Sequence, residues 1–430
     1  MNATTRGIRA STRHARAIYP FQAEAGLGWR GCLIGADSSG GAFCFDPWEL
    51  YRRELVANPN VAVFGELGYG KSSLLKTLVW RMLLFGRRAF VLDIKGEYAP
   101  LCHALDVAPI RLAPASGVRL NPLTARREHG AQVEILRAVA RTALGRPLRP
   151  EEAAALRETL GLVRAREPEP TLPQVIELLF DPTVEVAESL RGSPRELADA
   201  VREVALALQD LCEGPLRGLF DGPTSKGIDL DGRLVVLDLE AVKDSPAIGI
   251  LMACAQGWLS ARLERLADRR DPGRLISVAD EVWKVLEHEG LAQWFRANFK
   301  LARKYGTLNV IVAHKPGDIS GSGDEGTARH AAARGLLTDC ATRVIYRQAT
   351  GDIPTCQSAF GLSDREAEVV AQLQRGQALW QVGARSLVVQ HYRSRVERTL
   401  TDTDAGMSAN RRQFRHSSPS KRCTNGRQGG

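Results

Sequence analysis

The sequence predicts an α/β fold with a large, mostly parallel β-sheet that is interrupted by an all-helical insertion. Three observations predict it. A glycine-rich segment stands between a buried strand and a helix, strand-length apolar runs alternate with helical segments, and the stretch 126–218 contains no clear strand. No apolar run is long enough to span a membrane, and no signal peptide is recognisable.

Five segments follow from the order of these elements. Residues 1–20 and 405–430 are predicted to be flexible basic tails, because they are polar and short of large apolar groups. An N-terminal hairpin and the first part of the α/β core are expected in 21–125. The helical insertion is expected in 126–218, and the second part of the core in 219–404.

Strands are expected at short apolar runs rich in β-branched residues, which in chain order are 32–35, 43–46, 61–64, 89–93, 234–238, 275–279, 309–313, 343–346, 378–382 and 387–390. Capping boxes at Ser193–Glu196 and Ser363–Glu366 predict two helix starts. The first of these helices continues with an apolar residue on one face in every turn, and the second is expected to end at Gly376.

The glycine-rich segment Gly65–Ser72 matches the pattern G-x-x-x-x-G-K-[S/T] at every fixed position, between a strand and a helix. Its glycines let several backbone N–H groups face phosphates, and the following helix adds its positive N-terminal end. We expect Lys71 to reach the β- and γ-phosphates of ATP and Ser72 to ligate Mg²⁺. The predicted nucleotide-binding residues are Gly65, Glu66, Leu67, Gly68, Tyr69, Gly70, Lys71, Ser72 and Ser73.

A P-loop ATPase also needs a carboxylate near the metal, at the end of a neighbouring strand. Asp238-Leu239-Glu240 and Asp280-Glu281 both qualify. The second pair is favoured because two adjacent acids can divide the work. Asp280 would hold Mg²⁺ while Glu281 polarises the attacking water. A structural role is expected for Asp238.

The net charge of +9 resides in the predicted tails. Residues 1–20 carry four arginines and residues 405–430 carry six lysines and arginines, without an acid in either, which leaves a net charge of −1 for residues 21–404. Such tails can bind DNA through phosphate contacts, so the high pI alone does not indicate a DNA-binding core.

Four segments resemble motifs of known ATPases. Val91–Tyr98 resembles the D-x-x-G-E-Y segment of the HerA/FtsK superfamily. Asp280–Trp283 resembles the D-E-x-W Walker B motif of conjugative type IV secretion ATPases, the VirB/TraG-like ATP-binding proteins. Leu120–Leu123 resembles their N-P-L segment, and Arg303–Gly306 resembles their R-K-x-x helix, which precedes a strand that ends in a polar sensor.

The resemblance covers about residues 30–400 and implies an additional-strand, RecA-like fold. The sensor position, usually glutamine in the family, holds His314 here. A histidine there could orient water or sense the γ-phosphate, and it could equally be an ordinary strand-end histidine. Glu97 is expected to be an active-site or subunit-contact acid, with helix capping as the alternative. Arg303, Arg343 and Arg347 are candidates for an arginine finger, with Arg303 the first choice, and the alternative for each is an ordinary surface or sheet arginine.

By resemblance, the chain is expected to be an oligomeric, hexameric ATPase of conjugation or type IV secretion. It would act in the cytoplasm, at the inner face of the cell membrane, with membrane-embedded secretion components as partners. DNA contacts would come mainly from the tails. Three alternatives stay open: a DNA-translocating pump like FtsK or HerA, an assembly scaffold with little turnover, and a small-molecule kinase. The intact Lys71, Asp280 and Glu281 argue against the scaffold, and the large helical insertion argues against the kinase.

Overall fold

The described part of the chain covers most of the two predicted halves of the core. In this computed structural model it comprises residues 26–114, 116–125, 129–226, 228–243, 245, 248–252, 254–255, 258–259, 274–281, 299–300, 304–320 and 335–401. Both predicted tails lie outside it, and the predicted segment boundaries stay predictions. Within these ranges no helix combines the length and the apolarity needed to cross a membrane.

The described strands form one eleven-stranded sheet. They are β1 (Cys32–Asp37), β2 (Ala42–Phe45), β3 (Val61–Phe64), β4 (Arg88–Asp93), β5 (Ile110–Arg111), β6 (Leu234–Asp238), β7 (Leu275–Ala279), β8 (Thr307–Ala313), β9 (Thr342–Ile345), β10 (Gln377–Val382) and β11 (Arg385–His391). Their spatial order is β2-β1-β11-β10-β9-β3-β8-β7-β4-β6-β5. The two-residue strand β5 is too short for a periodic signal, and the sequence did not predict it.

The seven strands from β9 to β5 pair in parallel. The strands β10, β11, β1 and β2 extend the sheet with antiparallel pairs. The predicted hairpin is the β1–β2 pair, with its turn at 38–41. The predicted α/β fold with a large, mostly parallel sheet is therefore confirmed.

The α-helices that lie within the described residues include α1 (Pro47–Arg52), α2 (Lys71–Leu84), α3 (Ala99–Ala104), α4 (His129–Leu144), α5 (Pro150–Arg166), α6 (Leu172–Phe180), α7 (Val184–Ser189), α8 (Pro194–Glu213), α9 (Pro316–Ser320), α10 (Ile353–Phe360), α11 (Asp364–Gln372) and α12 (Arg395–Thr401). The helices α4 to α8 follow one another between β5 and β6 with no described strand among them. Both predicted capping boxes are present, at the starts of α8 and α11.

The end of α11 differs from the prediction. The helix stops at Gln372, four residues before the glycine that was expected to end it. Gly376 instead donates its N–H to the carbonyl of Tyr69, and Gln377 donates to the carbonyl of Gln374. This turn leads the chain directly into β10, so contacts with the P-loop replace the last helical turn.

Residues on the two faces of the sheet enter two separate hydrophobic cores. Along β3, Ala62 and Phe64 belong to one core, and Val61 and Val63 belong to the other. The first core contains the buried faces of α4 to α8, and the second contains the buried face of α2. Because both faces are covered, the parallel strands are continuous apolar runs rather than alternating ones.

Arg81 of α2 holds three elements together. Its guanidinium donates to both carboxylate oxygens of Glu397 in α12, at 2.6 and 2.8 Å. It also donates to the carbonyls of Leu33 in β1 and of Tyr392 after β11. Burial alone would raise the pKa of Glu397, but the hydrogen bonds from Arg81 and from the Ser394 N–H outweigh burial, and the pKa is lowered.

We predict that Arg81→Met lowers the free energy of unfolding by about 2 kcal/mol at pH 7, because a mostly buried carboxylate loses its charged donor. A carboxyl whose pKa is lower in the folded than in the unfolded state stabilises at neutral pH, and this stabilisation is lost as the pH falls through its folded pKa. The difference between variant and wild type should therefore shrink below about pH 4.

Denaturant unfolding at several pH values measures this difference. Arg52→Met is the matched control, since Arg52 also pairs with a glutamate, Glu49, but its side chain is 61% exposed. An Arg81→Met variant as stable at pH 7 as the Arg52→Met control would contradict the prediction.

Candidate functional site

The glycine-rich loop closely follows the carboxyl end of β3 and is fixed by main-chain hydrogen bonds to the two neighbouring strands. Gly65 donates its N–H to the carbonyl of His314, after β8, at 3.0 Å, and Glu66 donates to the carbonyl of Arg347, after β9, at 3.0 Å. A Cβ atom at Gly65 would collide with the side chain of Tyr346. The first position of the motif therefore needs glycine for close packing as well as for its backbone conformation.

Lys71 is the first residue of α2, directly after Gly70, whose φ of 116° favours glycine. The Lys71 ammonium donates to the carbonyl oxygens of Gly65 and Glu66, the latter at 2.9 Å, so it lies in the hollow of its own loop. Burial is the main cause that lowers the pKa of Lys71 to about 8, and the nearby ammonium of Lys95 adds to the shift. The cation is thus held in a place where phosphate oxygens could replace the two neutral carbonyls.

Ser72 and Ser73 follow in the first turn of α2, and both are partly buried. The Ser73 hydroxyl is shielded from solvent, and among the described residues it has no hydrogen-bond partner. A hydroxyl in this position at a helix N-terminus fits a phosphate or a hydrated metal ion. The loop, its lysine and its serines therefore fit the predicted ATP and Mg²⁺.

The acids Asp280 and Glu281 come directly after β7, and their side chains are almost fully buried. Burial raises the pKa of Asp280, and the positive charge of Lys95 partly counters that rise. Glu281 has a φ of 55°, a left-handed conformation that residues other than glycine adopt at a cost. The strand end therefore turns sharply and directs two carboxylates to one place.

His314 lies between the loop lysine and the second acid. Its Nδ1 is 3.4 Å from the ammonium nitrogen of Lys71, and its Nε2 is 3.3 Å from Oε1 of Glu281. The predicted residues Lys71, Glu281 and His314, which come from three separate parts of the sequence, therefore meet at one imidazole ring.

Lys95 joins the same cluster, and the sequence reasoning missed it. Its ammonium contacts Oε1 of Glu281 and lies 3.8 Å from Oδ2 of Asp280. The available signal was its position two residues beyond β4, since β4 and β7 are neighbours in the sheet. Once the order of the strands is known, a lysine two residues beyond β4 is expected to reach an acid that follows β7.

Asp238 lies farther from the loop. Its strand β6 is four strands from β3, about 19 Å at ordinary strand spacing, whereas β7 is two strands away, about 10 Å. Asp238 accepts a hydrogen bond from the Glu240 N–H at 3.0 Å, and its Oδ2 is 3.4 Å from Nε of Arg111. These local contacts favour a structural role for Asp238.

Glu97 pairs with a lysine of the P-loop helix. The Lys76 ammonium, on a fully buried side chain of α2, donates to Glu97 at 3.1 Å and lies over the ring of Tyr98. The carboxylate of Asp93 accepts hydrogen bonds from the N–H groups of Lys95 and Tyr98, and burial raises its pKa to about 6. The segment after β4 is therefore held by hydrogen bonds to Asp93, the last residue of β4, and by the ion pair with Lys76 of α2.

The arginine-finger candidates fall in three different places. Arg303 lies outside the described residues. Arg343 is partly buried in β9, with Nη1 3.5 Å from the carbonyl oxygen of Phe360. Arg347 donates to the Tyr69 hydroxyl at 2.8 Å and stacks on the same ring, so it supports the loop of its own chain. A role for any of them across a subunit boundary stays a prediction.

Comparison with family models gives a match over residues 54–246, to the model described as the central domain of the helicase HerA. The matched range includes the glycine-rich loop and Lys95. Asp280, Glu281 and His314 lie beyond it.

Comparison with known proteins gives relatives that include type IV secretion proteins. The chain is 22% identical to the type IV secretion system protein virB4 of Bartonella henselae, over 72% of this chain and 36% of the relative. It is 21% identical to the protein TraC of Escherichia coli K12, over 68% of this chain and 32% of the relative. The chain thus spans about a third of the length of these relatives.

Two solved structures share the fold. VirB4 of Thermoanaerobacter pseudethanolicus superposes with a TM-score of 0.71 at 22% identity, over 87% of this chain and all of that one. The plasmid coupling protein TrwB with the ATP analogue ADPNP superposes with a TM-score of 0.58 at 17% identity, over 85% of this chain and 91% of that one. TrwB is also known in complex with ADP and Mg²⁺. The chain therefore matches the model of the HerA central domain over residues 54–246, has the RecA-like fold and is similar in sequence to the type IV secretion protein VirB4.

Proposed function

We propose that this chain hydrolyses ATP in a Mg²⁺-dependent reaction at the carboxyl edge of its parallel strands. The observation that carries the proposal is the convergence of Lys71, Glu281 and His314, with both heavy-atom distances at the imidazole below 3.5 Å. A P-loop lysine and a buried carboxylate brought together in this way are the minimum needed to hold a γ-phosphate beside a polarised water.

Each residue has a distinct proposed role. Lys71 leaves the carbonyls of Gly65 and Glu66 to hold the β- and γ-phosphates, and the backbone N–H groups of residues 67–73 surround them. Ser72 and Asp280 would hold the metal ion, which would supply positive charge to neutralise the phosphates.

The remaining two residues, Glu281 and His314, are proposed to act on the attacking water and on the γ-phosphate. Glu281 orients that water and accepts its proton. His314 contacts both the phosphate-binding lysine and this acid, so it is placed to relay the state of the γ-phosphate between them.

The proposed biological role is to energise substrate transfer or assembly of the apparatus in conjugation or type IV secretion. The similarity to VirB4 and TraC supports this role. We propose that the chain acts as a homo-oligomer, a hexamer by resemblance. It would act at the cytoplasmic face of the cell membrane with membrane-embedded secretion components as partners.

A DNA-translocating pump is the second candidate, because the matched family model is that of a helicase. A channel for DNA would need a surface of lysine and arginine, since phosphate contacts dominate affinity. Residues 21–404 have a net charge of −1, so any basic channel must be balanced by acidic surface elsewhere. This charge balance favours the secretion role.

We predict that Glu281→Gln slows ATP hydrolysis by about 10²–10⁴-fold while Mg²⁺-ATP still binds, because the water loses its general base. Lys71→Ala should remove most nucleotide binding and all turnover. Asp238→Asn is the matched control, and it should affect turnover far less, because its contacts are local and distant from the loop.

Steady-state hydrolysis and equilibrium binding of a non-hydrolysable ATP analogue measure both effects. Near-normal turnover by Lys71→Ala would refute the site itself. A larger loss in Asp238→Asn than in Glu281→Gln would move the catalytic acid to the end of β6.

We predict that turnover depends on neighbouring subunits. If Arg303 is supplied across a subunit boundary, mixing Arg303→Ala with Glu281→Gln subunits should restore part of the activity, since a mixed interface can unite two intact halves. Activity per subunit should also rise with protein concentration. A monomer whose activity is independent of concentration would rule out this arrangement.

We predict that DNA binding, where it is seen, comes from the tails. Deletion of residues 1–20 and 405–430 removes ten positive charges and should abolish nonspecific DNA affinity, while basal ATP hydrolysis survives. DNA affinity of the full chain and of the shortened chain at two salt concentrations tests this. Tight DNA binding by the shortened chain, with stimulation of its ATPase activity, would favour the DNA pump instead.

A further inference from the structure

Lys95 is in the turn that connects β4 to α3, at the same edge of the sheet as the glycine-rich loop. Its N–H donates to the Asp93 carboxylate at 3.2 Å, and the same carboxylate accepts from the Tyr98 N–H at 2.8 Å. The backbone of the turn is therefore fixed at both ends by one buried side chain. The Cα atom of Lys95 is therefore held in a fixed position, and its side chain leaves the backbone from a well-defined place.

The Lys95 side chain extends from the turn after β4 towards the carboxyl end of the neighbouring strand β7. Its ammonium contacts Oε1 of Glu281 and lies 3.8 Å from Oδ2 of Asp280. The same Oε1 atom is 3.3 Å from Nε2 of His314. One oxygen of the proposed catalytic acid is thus held between an ammonium group and an imidazole ring.

Burial makes the contact with the ammonium group strong. The Asp280 and Glu281 side chains are 4% and 7% exposed, so water screens their charges poorly, whereas Lys95 is 28% exposed. A charge-assisted hydrogen bond in such surroundings fixes the direction of a carboxylate. The φ of Glu281 is 55°, so the rotamer preferences of helices and strands do not determine the direction of its side chain. The contact with Lys95 determines it instead.

We propose that Lys95 is a positioning residue that orients the Glu281 carboxylate for ATP hydrolysis. The proposal rests on the proposed function and adds one residue to it. Lys95 acts through Glu281, and neither phosphate binding nor proton transfer is assigned to it. A displacement of about 1 Å in a reacting group can cost about 10²-fold in rate, so losing this contact should slow the reaction without weakening nucleotide binding.

The ion pair of buried Lys76 with half-buried Glu97 is an example of a structural ion pair in the same region. It links α2 to the segment after β4 at 3.1 Å, and within the described residues neither member forms an ion pair with Asp280 or Glu281. Breaking a pair of this kind should mainly lower the free energy of unfolding, with a smaller effect on turnover. The pair of Lys95 and Glu281 differs because one member is the proposed catalytic acid, so its loss should appear in turnover.

The experiment compares ATP hydrolysis by the full chain with that of Lys95→Met, Lys95→Gln and Lys95→Arg. Two neutral replacements are used so that the result does not depend on the folding of either one, and thermal unfolding of each is recorded. We expect kcat to fall about 10–100-fold in both neutral variants. Affinity for a non-hydrolysable ATP analogue should stay within about threefold of wild type. Lys95→Arg, which keeps the charge and the donor, should recover much of the rate.

Lys315→Met is the matched control. Lys315 also follows a strand of this edge, but its ammonium lies 3.4 Å from Oδ1 of Asp352, an acid outside the cluster. Its replacement should leave kcat close to wild type. The decisive comparison uses Glu281→Gln as a background. If Lys95 acts through Glu281, adding Lys95→Met to that variant should cause almost no further loss, because the two effects are not additive.

The outcomes separate this inference from the function on which it rests. Absence of ATP hydrolysis by the unaltered chain would refute the proposed function and the inference together. Normal or raised kcat in the Lys95 variants, beside an inactive Glu281→Gln, would overturn the inference alone. A loss of analogue affinity equal to the loss of rate would also overturn it, since Lys95 would then bind the nucleotide directly. A full further loss in the Glu281→Gln background would show that Lys95 acts independently of that acid.

Discussion

The parallel hydrogen bonding of β3, β8, β7 and β4 is the constraint on which the site depends. These strands are consecutive neighbours in the sheet and run in the same direction, so their carboxyl ends meet at one edge. The glycine-rich loop, His314, the pair of acids and Lys95 each come shortly after one of these ends. Any change of strand order or direction would separate them, whatever their identities.

The electrostatics of the site follow from this crowding. Lys71 and Glu281 contact one imidazole ring, and Lys95 pairs with the carboxylates of Glu281 and Asp280, which are almost fully buried. Buried charges of this kind persist when each is paired and hydrogen-bonded. Burial, together with the repulsion from Lys95, lowers the pKa of Lys71, so binding of an anion beside it would be strongly favoured. The positive and negative charges of the cluster therefore compensate one another, and a phosphate could still bind beside Lys71.

The two faces of the sheet pack against different helices, one face in each hydrophobic core. The helix α2, which begins with Lys71, packs on one face, and the helices α4 to α8 bury their apolar residues on the other. The helical insertion therefore supports the strands without covering the face on which the P-loop helix lies. The HerA-type match ends at residue 246, whereas the proposed catalytic acid and the histidine come later in the chain. The site thus needs strands from both predicted halves of the core.

The sequence by itself determined the fold class, most strands, the capped helices and the glycine-rich loop, because each depends on local periodicity or on a contiguous motif. It also suggested Asp280 and Glu281, since acids at a strand end are a local signal. Only the tertiary structure decided that these acids, and not Asp238, adjoin the loop, because that depends on the order of β7 and β6 in the sheet. It also revealed Lys95, which contacts residues about 185 positions away along the chain and whose role no local pattern could express. Sheet order is set by the packing of distant strands, and that information is spread over the whole chain.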